Sequence, residues 1–325
     1  MVLEEQIQLF CLRHISKYLI IFLLILFFFI LFLTSLFNKN INIDNQIIEI
    51  KKGENLKSIT SNIFINHNTF EKYLFYQYII IWDKFFDKID YGKFSINDNS
   101  NLIDLVNIIS KPSNVYEKFT VIDGWQKYQL FELLNLKFND SIKINYQDIL
   151  ADTYLYRSTD NLDKLFKLMI NFKNDFFIKY KDNKILNKFS VNDIFIIASL
   201  VEKEGINDED KKLISSVIFN RLNKNMKLQI DASTIFAITK GKYKFSRKLT
   251  YDDLKIKDPY NTYYIKALPP NPICFVGKKT IEIVLEDNKS DFLFYFYNEN
   301  MKKHIYSKTF KDHKRKLKEY RNNNE

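Results

Sequence analysis

The pattern of apolar and polar positions begins with one long apolar block near the N-terminus. Residues 18–37 read YLIIFLLILFFFILFLTSLF, a run of 20 positions without a charge. About 20 apolar residues are enough for a helix to cross a lipid bilayer. The run also lacks the polar face that a helix on the surface of a soluble domain shows. The pattern therefore predicts a single transmembrane helix over 18–37, preceded by a short segment at 1–17.

A cleaved signal peptide is the alternative interpretation of this block. Signal peptides have an apolar region of about 7–15 residues and a small-residue cleavage site, whereas this run is longer and ends in LTSL. We therefore favour an uncleaved signal anchor. Arg13 and Lys17 precede the span and Lys39 follows it, so the positive-inside rule predicts a cytoplasmic N-terminus. Residues 38–325 are then expected outside the cytoplasm.

Strand and helix patterns alternate after a polar linker at residues 41–46. Alternating apolar residues between turn residues indicate strands, and apolar spacings of three and four indicate helices. Ser100 is the expected N-cap of one helix. Between residues 47 and 134 the predicted strands are 47–50, 91–96 and 118–122, and the predicted helices begin at Leu56 and cover 70–86, 100–110 and 126–134.

The second half of the chain combines helices with a proline-rich segment. Residues 258–275 contain four of the five prolines, which block regular hydrogen-bonded ladders and so predict an ordered loop or extended segment. The other predicted elements are a polar, helix-prone region at 139–190, helices over 191–204 and 209–222, a buried strand at 292–297 and a helical tail beyond Ser307.

Composition limits the classes of function. Charged residues make up 27% of the 325 positions and hydrophobic residues 46%, which is typical of a folded protein. The net charge is +10, but the chain has no zinc-finger spacing or RNP-type sequence, and the basic run at 311–318 is interpreted as a solvated helix end. We therefore expect no nucleic-acid partner. Cys11 and Cys274 lie on opposite sides of the predicted span, so no disulfide and no metal site is predicted.

The candidate chemistry lies between residues 191 and 262. Glu202 and Glu204 stand near the end of a strongly apolar helical run. Burial disfavours the charged form of a carboxyl group and raises its pKa, and a carboxylic acid that keeps its proton near neutral pH is what cleavage of an acetal requires. The polar residues that follow, and that we predict to bind substrate, are Asn220, Arg221, Gln229, Asp231, Ser233, Tyr260, Asn261 and Thr262.

Several stretches resemble the endolytic murein transglycosylase family, also called YceG-like. IASLVEKEG at 197–205 resembles the family's catalytic-helix motif, and VIFNRLNKNMKLQIDAST at 217–234 resembles its next block. YNTYYIKALPPNPI at 260–273 resembles its Pro-rich loop, and residues 292–314 resemble its final strand pair and tail. The turn at Gly53 and the strand at 91–96 resemble the small LysM-like module that precedes the catalytic domain in this family.

The resemblance implies a fold and a function. The expected fold is α+β: a transmembrane helix, a linker with a LysM-like module over 38–117, and a mixed α/β catalytic domain over 118–325. The expected enzyme is a lyase that cuts the β-1,4 bond between N-acetylmuramic acid and N-acetylglucosamine in nascent peptidoglycan strands and leaves a 1,6-anhydro end. It would act at the outer face of the inner membrane, near the cell-wall synthases, and terminate glycan polymerisation. No cofactor is expected.

The two glutamates have different predicted roles. Residues two apart on a helix point about 200° from each other, so Glu202 and Glu204 do not form one paired site. Helical spacing places Glu204 on the same side as Ile197 and Val201. The resemblance also favours Glu204, because the acid of lysozyme-like lytic enzymes directly precedes a small residue, here Gly205. We therefore predict Glu204 as the acid and Glu202 as a supporting carboxylate.

Two alternative functions stay open. A membrane-tethered module that binds peptidoglycan without catalysis predicts that both glutamates are exposed and dispensable. A hydrolytic muramidase needs a second carboxyl group about 5–10 Å from the acid, and Asp231 is the candidate. Arg221 is interpreted as a partner of Asp231, as a ligand for a carboxylate of the peptide stem, or as part of a structural ion pair. His304 and His313 are expected at the surface or in packing.

Overall fold

The computed structural model describes residues 2–38, 40, 46–97, 99–140 and 142–322, with side chains from residue 17 onward. The described chain combines helices with three two-stranded sheets, which is the mixed α and β composition that the sequence predicts. It divides into two compact units. The smaller unit is Met1–Glu117 with Arg157–Thr159, and the larger unit is Lys118–Tyr156 with Asp160–Glu325.

The first helix, α1, covers Val2–Asn38. Its part from Lys17 to Asn38 is 22 residues long and apolar enough to cross a membrane, and no residue of its 18-residue apolar window counts as buried in the protein. Most of the predicted linker, residues 41–45, lies outside the described residues, as do Lys39 and the side chains of Cys11 and Arg13.

The smaller unit continues with helices between paired strands. The antiparallel pair runs from Ile47 opposite Ser95 to Ile50 opposite Gly92. Alternate residues of each strand point into a core that includes the fully buried Phe94. The elements of this unit after α1 are β1 (Ile47–Ile50), α2 (Leu56–Ile63), α3 (Thr69–Phe85), β2 (Gly92–Ser95) and α4 (Leu102–Ile109).

The predicted N-cap of α4 is wrong by one residue. Asn101 caps the helix: its Oδ1 accepts from the backbone N–H of Asp104 at 2.9 Å, and Asp104 accepts from the N–H of Asn101 at 3.2 Å. This reciprocal capping box satisfies two backbone donors at once, which Ser100 could not do because residue 103 is an isoleucine. Ser100 is buried just before the cap.

The larger unit is built around one buried helix, α7. Every residue from Ile194 to Val201 is buried, because α7 packs against α8, α9 and α10. The elements that lie wholly or mostly in this unit are β3 (Tyr116–Thr120), α5 (Lys127–Phe138), β4 (Thr153–Arg157), α6 (Leu162–Ile178), α7 (Val191–Glu204), α8 (Asp208–Asn223), α9 (Asp231–Thr239), α10 (Lys278–Leu285), β5 (Phe294–Asn298), β6 (Lys303–Ser307) and α11 (Phe310–Asn322).

Several elements differ from the sequence-based expectation. The helix-prone region 139–190 contains the strand β4, which pairs with β3, and the pattern did not predict α9 or α10. The run at 292–297 was expected to be a buried strand, but the side chains of β5 are mostly half-buried and Tyr297 is 44% exposed. The physical reason is that β5 pairs with β6 in a two-stranded sheet, and α11 contacts these two strands.

Candidate active site

Both candidate carboxyl groups lie at the end of α7, which is fixed at each terminus. Ser190 and Asp193 form a capping box at its start. At its end the N–H of Gly205 donates to the carbonyl of Val201 at 2.8 Å. A Cβ atom on Gly205 would lie 2.3 Å from Cγ of Lys211. The start of α8 can therefore approach the glutamates this closely because residue 205 is glycine.

Glu202 belongs to a buried ion pair. Its Oε2 lies 2.8 Å from Nζ of Lys211 on α8, and the two side chains are 10% and 14% exposed. The hydroxyl of Thr280 on α10 donates to the same oxygen, and Lys211 also donates to that hydroxyl at 2.9 Å. A carboxylate that accepts from an ammonium and a hydroxyl is a strong acceptor. Glu202 is thus suited to join α7, α8 and α10.

Glu204 is half-buried and has a different environment. Burial, helped by the nearby carboxylate of Asp231, raises the pKa of Glu204 to about 7. His304, the N–H of Ala232 and the hydroxyl of Tyr295 act in the opposite direction, because each favours the charged carboxylate. The Tyr295 hydroxyl donates to Oε2 at 3.4 Å. A carboxyl group with a pKa near 7 can both give and accept a proton at neutral pH.

Two further aspartates near this site accept hydrogen bonds from tyrosines. Tyr263 donates to Asp231 at 2.6 Å, and Tyr306 donates to Asp210 at 2.7 Å. Nδ1 of His304 lies 2.9 Å from the other carboxylate oxygen of Asp210. Although burial acts to raise it, the pKa of Asp210 is lowered, because the hydrogen bonds from His304 and Tyr306 favour its carboxylate.

The Pro-rich loop is attached to α9 by buried polar side chains that the sequence predicted to bind substrate. Asn261, Thr262 and Ser233 are each 0% exposed. Asn261 donates to two backbone carbonyls at 3.0 and 2.8 Å and accepts from the hydroxyl of Thr234 at 2.9 Å. The hydroxyls of Thr262 and Ser233 lie 2.8 Å apart. These groups use their hydrogen-bonding capacity inside the fold, so they shape the loop from within, and their contact with a substrate stays a prediction.

Asn220 and Arg221 at the end of α8 bind backbone carbonyls. Asn220 donates to two carbonyls of the segment 290–292 at 2.7 and 3.0 Å. Arg221 is 6% exposed and donates to the carbonyls of Leu293 at 2.6 Å and Leu228 at 2.7 Å. Within the described chain no hydrogen bond or ion pair joins Arg221 to Asp231, which corrects the interpretation as its partner. The N–H groups of the guanidinium are instead satisfied by backbone carbonyls.

Three of the predicted substrate-binding residues reach the surface. Gln229 is exposed and has a φ of +51°, and its N–H donates to the carbonyl of Thr262 at 3.2 Å. Asp231 is exposed at the first turn of α9. Tyr260 is half-buried, and its hydroxyl accepts from the amide of Asn271 at 3.2 Å. These side chains can meet a ligand without rearrangement of the core.

A cleft of about 530 Å³ opens beside Glu202 and Ala232, and the N–H of Ala232 contacts Glu204. Gly124, in the turn between β3 and α5, has a φ of +79° that favours glycine. Aromatic walls with a few polar groups are typical of small-molecule and saccharide sites. The aromatic and amide side chains that line this cleft are Trp125, Tyr128, Phe245, Gln126 and Gln129.

Sequence reasoning missed these cleft residues and the role of the C-terminal hairpin. Trp125 is one of two tryptophans in the chain and stands in a turn, where a large aromatic residue is a usable signal. Tyr295 and His304 lie on the paired strands β5 and β6 and both act on the pKa of Glu204. The ring of His304 also packs against Tyr295 and Tyr297, in agreement with the expected packing role. Among the described residues no group of three His, Cys, Asp or Glu side chains is placed to hold a metal ion.

Comparison with known proteins places this arrangement in a family. The chain is 35% identical over 185 residues to the endolytic murein transglycosylase of Bacillus subtilis, which covers 56% of this chain and 50% of that protein. It is 32% identical over 173 residues to the protein of the same name from Streptococcus pneumoniae, which covers 52% of this chain and 31% of that protein. The chain thus spans half or less of the curated relatives that it matches.

A solved structure agrees with the fold. The crystal structure of a YceG-like protein from Listeria monocytogenes aligns with a TM-score of 0.53 and 24% identity, and covers 83% of this chain and 98% of that chain. Residues 48–319 match the YceG-like family. The match extends over most of the chain and includes α7, the Pro-rich loop and the C-terminal hairpin, so this protein belongs to the YceG-like family.

Proposed function

We propose that this chain is a membrane-anchored endolytic lytic transglycosylase that cuts peptidoglycan strands with Glu204 as its acid. The observation that carries the proposal is the half-buried carboxyl group of Glu204, whose pKa is raised to about 7 at the end of a buried helix. The name of the relatives, endolytic murein transglycosylase, supports murein as the substrate. A protonated carboxylic acid at neutral pH is the group that glycosidic cleavage requires.

The proposed mechanism needs one acid. Protonated Glu204 donates its proton to the glycosidic oxygen between N-acetylmuramic acid and N-acetylglucosamine as the bond to C1 breaks. The carboxylate that remains then accepts the proton of the C6 hydroxyl of the muramic acid, and the C6 oxygen attacks C1 to close the 1,6-anhydro ring. Glu204 is protonated again at the end, and no water is consumed. A carboxyl group with a pKa near 7 suits both steps equally.

The other residues divide into positioning and binding roles. Glu202 supports the site by holding the end of α7 to Lys211 and Thr280. Gln229 and Tyr260 reach the surface near α9 and the Pro-rich loop, and Trp125 lines the neighbouring cleft. We assign glycan contacts to these three residues. Buried side chains such as Asn261 keep the loop in shape.

Hydrolysis is the second candidate activity, because a second carboxyl group acts on Glu204. Asp231 lies close enough to raise the pKa of Glu204 electrostatically, and its own carboxylate is held by Tyr263 at 2.6 Å. A muramidase would use such a carboxylate as base or nucleophile. Its product would carry a reducing end and weigh one water more than the anhydro product.

The binding-only alternative is weakened by the glutamates themselves. It predicts exposed side chains, whereas the side chain of Glu202 is 10% exposed and Glu204 is half-buried. Groups of this kind carry a desolvation cost that an inert surface glutamate does not have.

The proposal also includes location and partners. α1 crosses the inner membrane with its N-terminus in the cytoplasm, and the larger unit acts on nascent strands beside the cell-wall synthases to terminate their polymerisation. The two antiparallel strands of the smaller unit, with α2 and α3 between them in the chain, support a LysM-like wall-binding module.

The test is mass spectrometry of products from purified glycan strands treated with the full chain in detergent. Glu204→Gln removes the acid, and Glu209→Gln on α8, whose side chain is 83% exposed, serves as the matched control. Internal cuts with 1,6-anhydro ends from the wild type and the control, and none from Glu204→Gln, are expected. Reducing ends indicate the muramidase. Cleavage by Glu204→Gln refutes the assignment of the acid, and an inactive wild type favours the binding module.

A further inference from the structure

The end of α1 is held against the smaller unit. The side chains of α1 from Tyr18 to Phe32 are exposed, whereas Leu33, Leu36 and Phe37 are half-buried. Leu36 and Phe37 pack on the core of the smaller unit, and the ring of Phe37 lies 4.7 Å from that of Tyr78 on α3. With a rise of 1.5 Å per residue, Leu33 lies about 6 Å inside the apolar run that ends at Phe37. Protein that covers these residues therefore sits where hydrocarbon gives way to lipid headgroups.

α3 presents large apolar side chains to solvent on the same side as Tyr78. Phe70, Ile81 and Phe85 are 61%, 51% and 69% exposed. At 100° per residue all three fall within about 80° of Tyr78 on the helix, and the buried residues of α3 lie in the other direction. We name these three side chains the α3 patch. Large exposed apolar groups along one side of a helix in a folded unit mark an interaction surface.

The chemistry around the α3 patch fits a lipid surface. Two exposed lysines, Lys84 and Lys88, stand at the C-terminal end of α3, and the ammonium of Lys84 lies 5.5 Å from the ring centre of Phe85. Aromatic and aliphatic side chains with lysines at their edge are typical of helices that lie in the membrane interface.

Continuity with α1 selects the membrane as the occupant. The contact between Phe37 and Tyr78 joins the end of the apolar span directly to α3. The unit cannot therefore move far from the bilayer unless that aromatic contact breaks.

We propose that the α3 patch inserts into the headgroup region of the bilayer that α1 spans, so that the smaller unit is seated on the membrane and not merely tethered to it. This seating uses the exposed face of α3. It depends on the membrane crossing of α1 and is independent of any enzymatic activity.

Depth measurement on the full chain tests the seating. The background is Cys11→Ser, in which the remaining Cys274 is fully buried and escapes labelling. A bimane label is placed on Phe70→Cys or Phe85→Cys, on Phe28→Cys within the span, and on Lys57→Cys, an exposed position of α2. The protein is reconstituted in vesicles of phosphatidylcholine and phosphatidylglycerol whose acyl chains carry bromine.

We expect bromine to quench the labels at 70 and 85 at least about threefold more than the label at 57, because interfacial side chains reach the upper acyl chains. The label at 28 gives the value for full insertion. Quenching at 70 and 85 equal to that at 57, with free access to aqueous iodide, overturns the proposal. Protection from both quenchers also overturns it and indicates a protein partner or a second copy on this face.

Discussion

The hydroxyl of Tyr295 donates a hydrogen bond to Oε2 of Glu204 across 3.4 Å. It connects β5 of the C-terminal hairpin to the end of α7, 91 residues away in the chain. The bond favours the charged carboxylate and so opposes the rise in pKa that burial produces. Tyr295 is thus a positioning residue that lowers the proton affinity of the proposed acid.

Removal of this hydroxyl should shift the pH dependence of cleavage. Tyr295→Phe raises the pKa of Glu204 further, and since the acid must be protonated, the fall in rate on the alkaline side should move to higher pH. A bond of 3.4 Å is weak, so we expect a shift of about half a pH unit. Tyr297→Phe on the same strand, at a site 44% exposed, should leave the profile unchanged. A shift to lower pH would contradict the assignment.

The raised pKa of Glu204 should also appear in the stability of the protein. The folded state holds this proton to a pH of about 7 and the unfolded state to a pH near 4.5. The folded state therefore binds more protons in this window, and the free energy of unfolding falls as pH rises through it. Glu204→Gln has no titrating group at this position. Its free energy of unfolding, relative to that of the wild type, should therefore rise by up to about 3 kcal/mol between pH 4.5 and pH 8. Urea unfolding at both pH values, with Glu209→Gln as control, measures this difference. If the free energies of unfolding of the wild type and Glu204→Gln change in parallel with pH, the result argues against a buried acid.

The ion pair of Glu202 with Lys211 predicts that loss of the lysine lowers the free energy of unfolding and that a second mutation, at Glu202, restores it. Lys211→Met leaves a buried carboxylate without its partner, which should cost about 3–5 kcal/mol in the free energy of unfolding. The double variant Lys211→Met with Glu202→Gln should recover most of that loss. Lys212→Met, next along α8 in an exposed pair with Glu209, should change little. If the double variant is no more stable than Lys211→Met, the two groups are not coupled.

Arg221 should prove to be a structural residue. Its guanidinium divides its hydrogens among carbonyls of two chain segments, and a lysine cannot reproduce that planar fork. Arg221→Lys should therefore lower the free energy of unfolding by about 2–3 kcal/mol. Thermal unfolding measures this loss. A variant with unchanged stability but a raised KM for peptide-bearing strands would instead point to the carboxylate-binding interpretation.

Local patterns in the sequence determined much of the fold. The membrane-length helix follows from an uncharged run, and α7 was predicted with the bounds that the structure has, because its apolar run and the glycine that follows it are local signals. The strand β4 was missed because its pairing with β3 connects residues far apart in sequence. The exposure of β5 was misjudged because apolar composition does not reveal whether one face or both faces of a strand are covered.

For the site, the sequence by itself supplied the two glutamates and the polar residues around them, because burial at the end of an apolar helix is readable from composition. Tertiary structure alone decided how these groups differ. Lys211 and Thr280 hold Glu202 as an acceptor, whereas burial, together with Asp231, His304 and Tyr295, determines the pKa of Glu204. It also turned Arg221 toward backbone carbonyls and buried Asn261 and Thr262. The physical reason is that a pKa and a hydrogen-bond partner depend on groups brought near by packing, and spacing along the chain does not specify them.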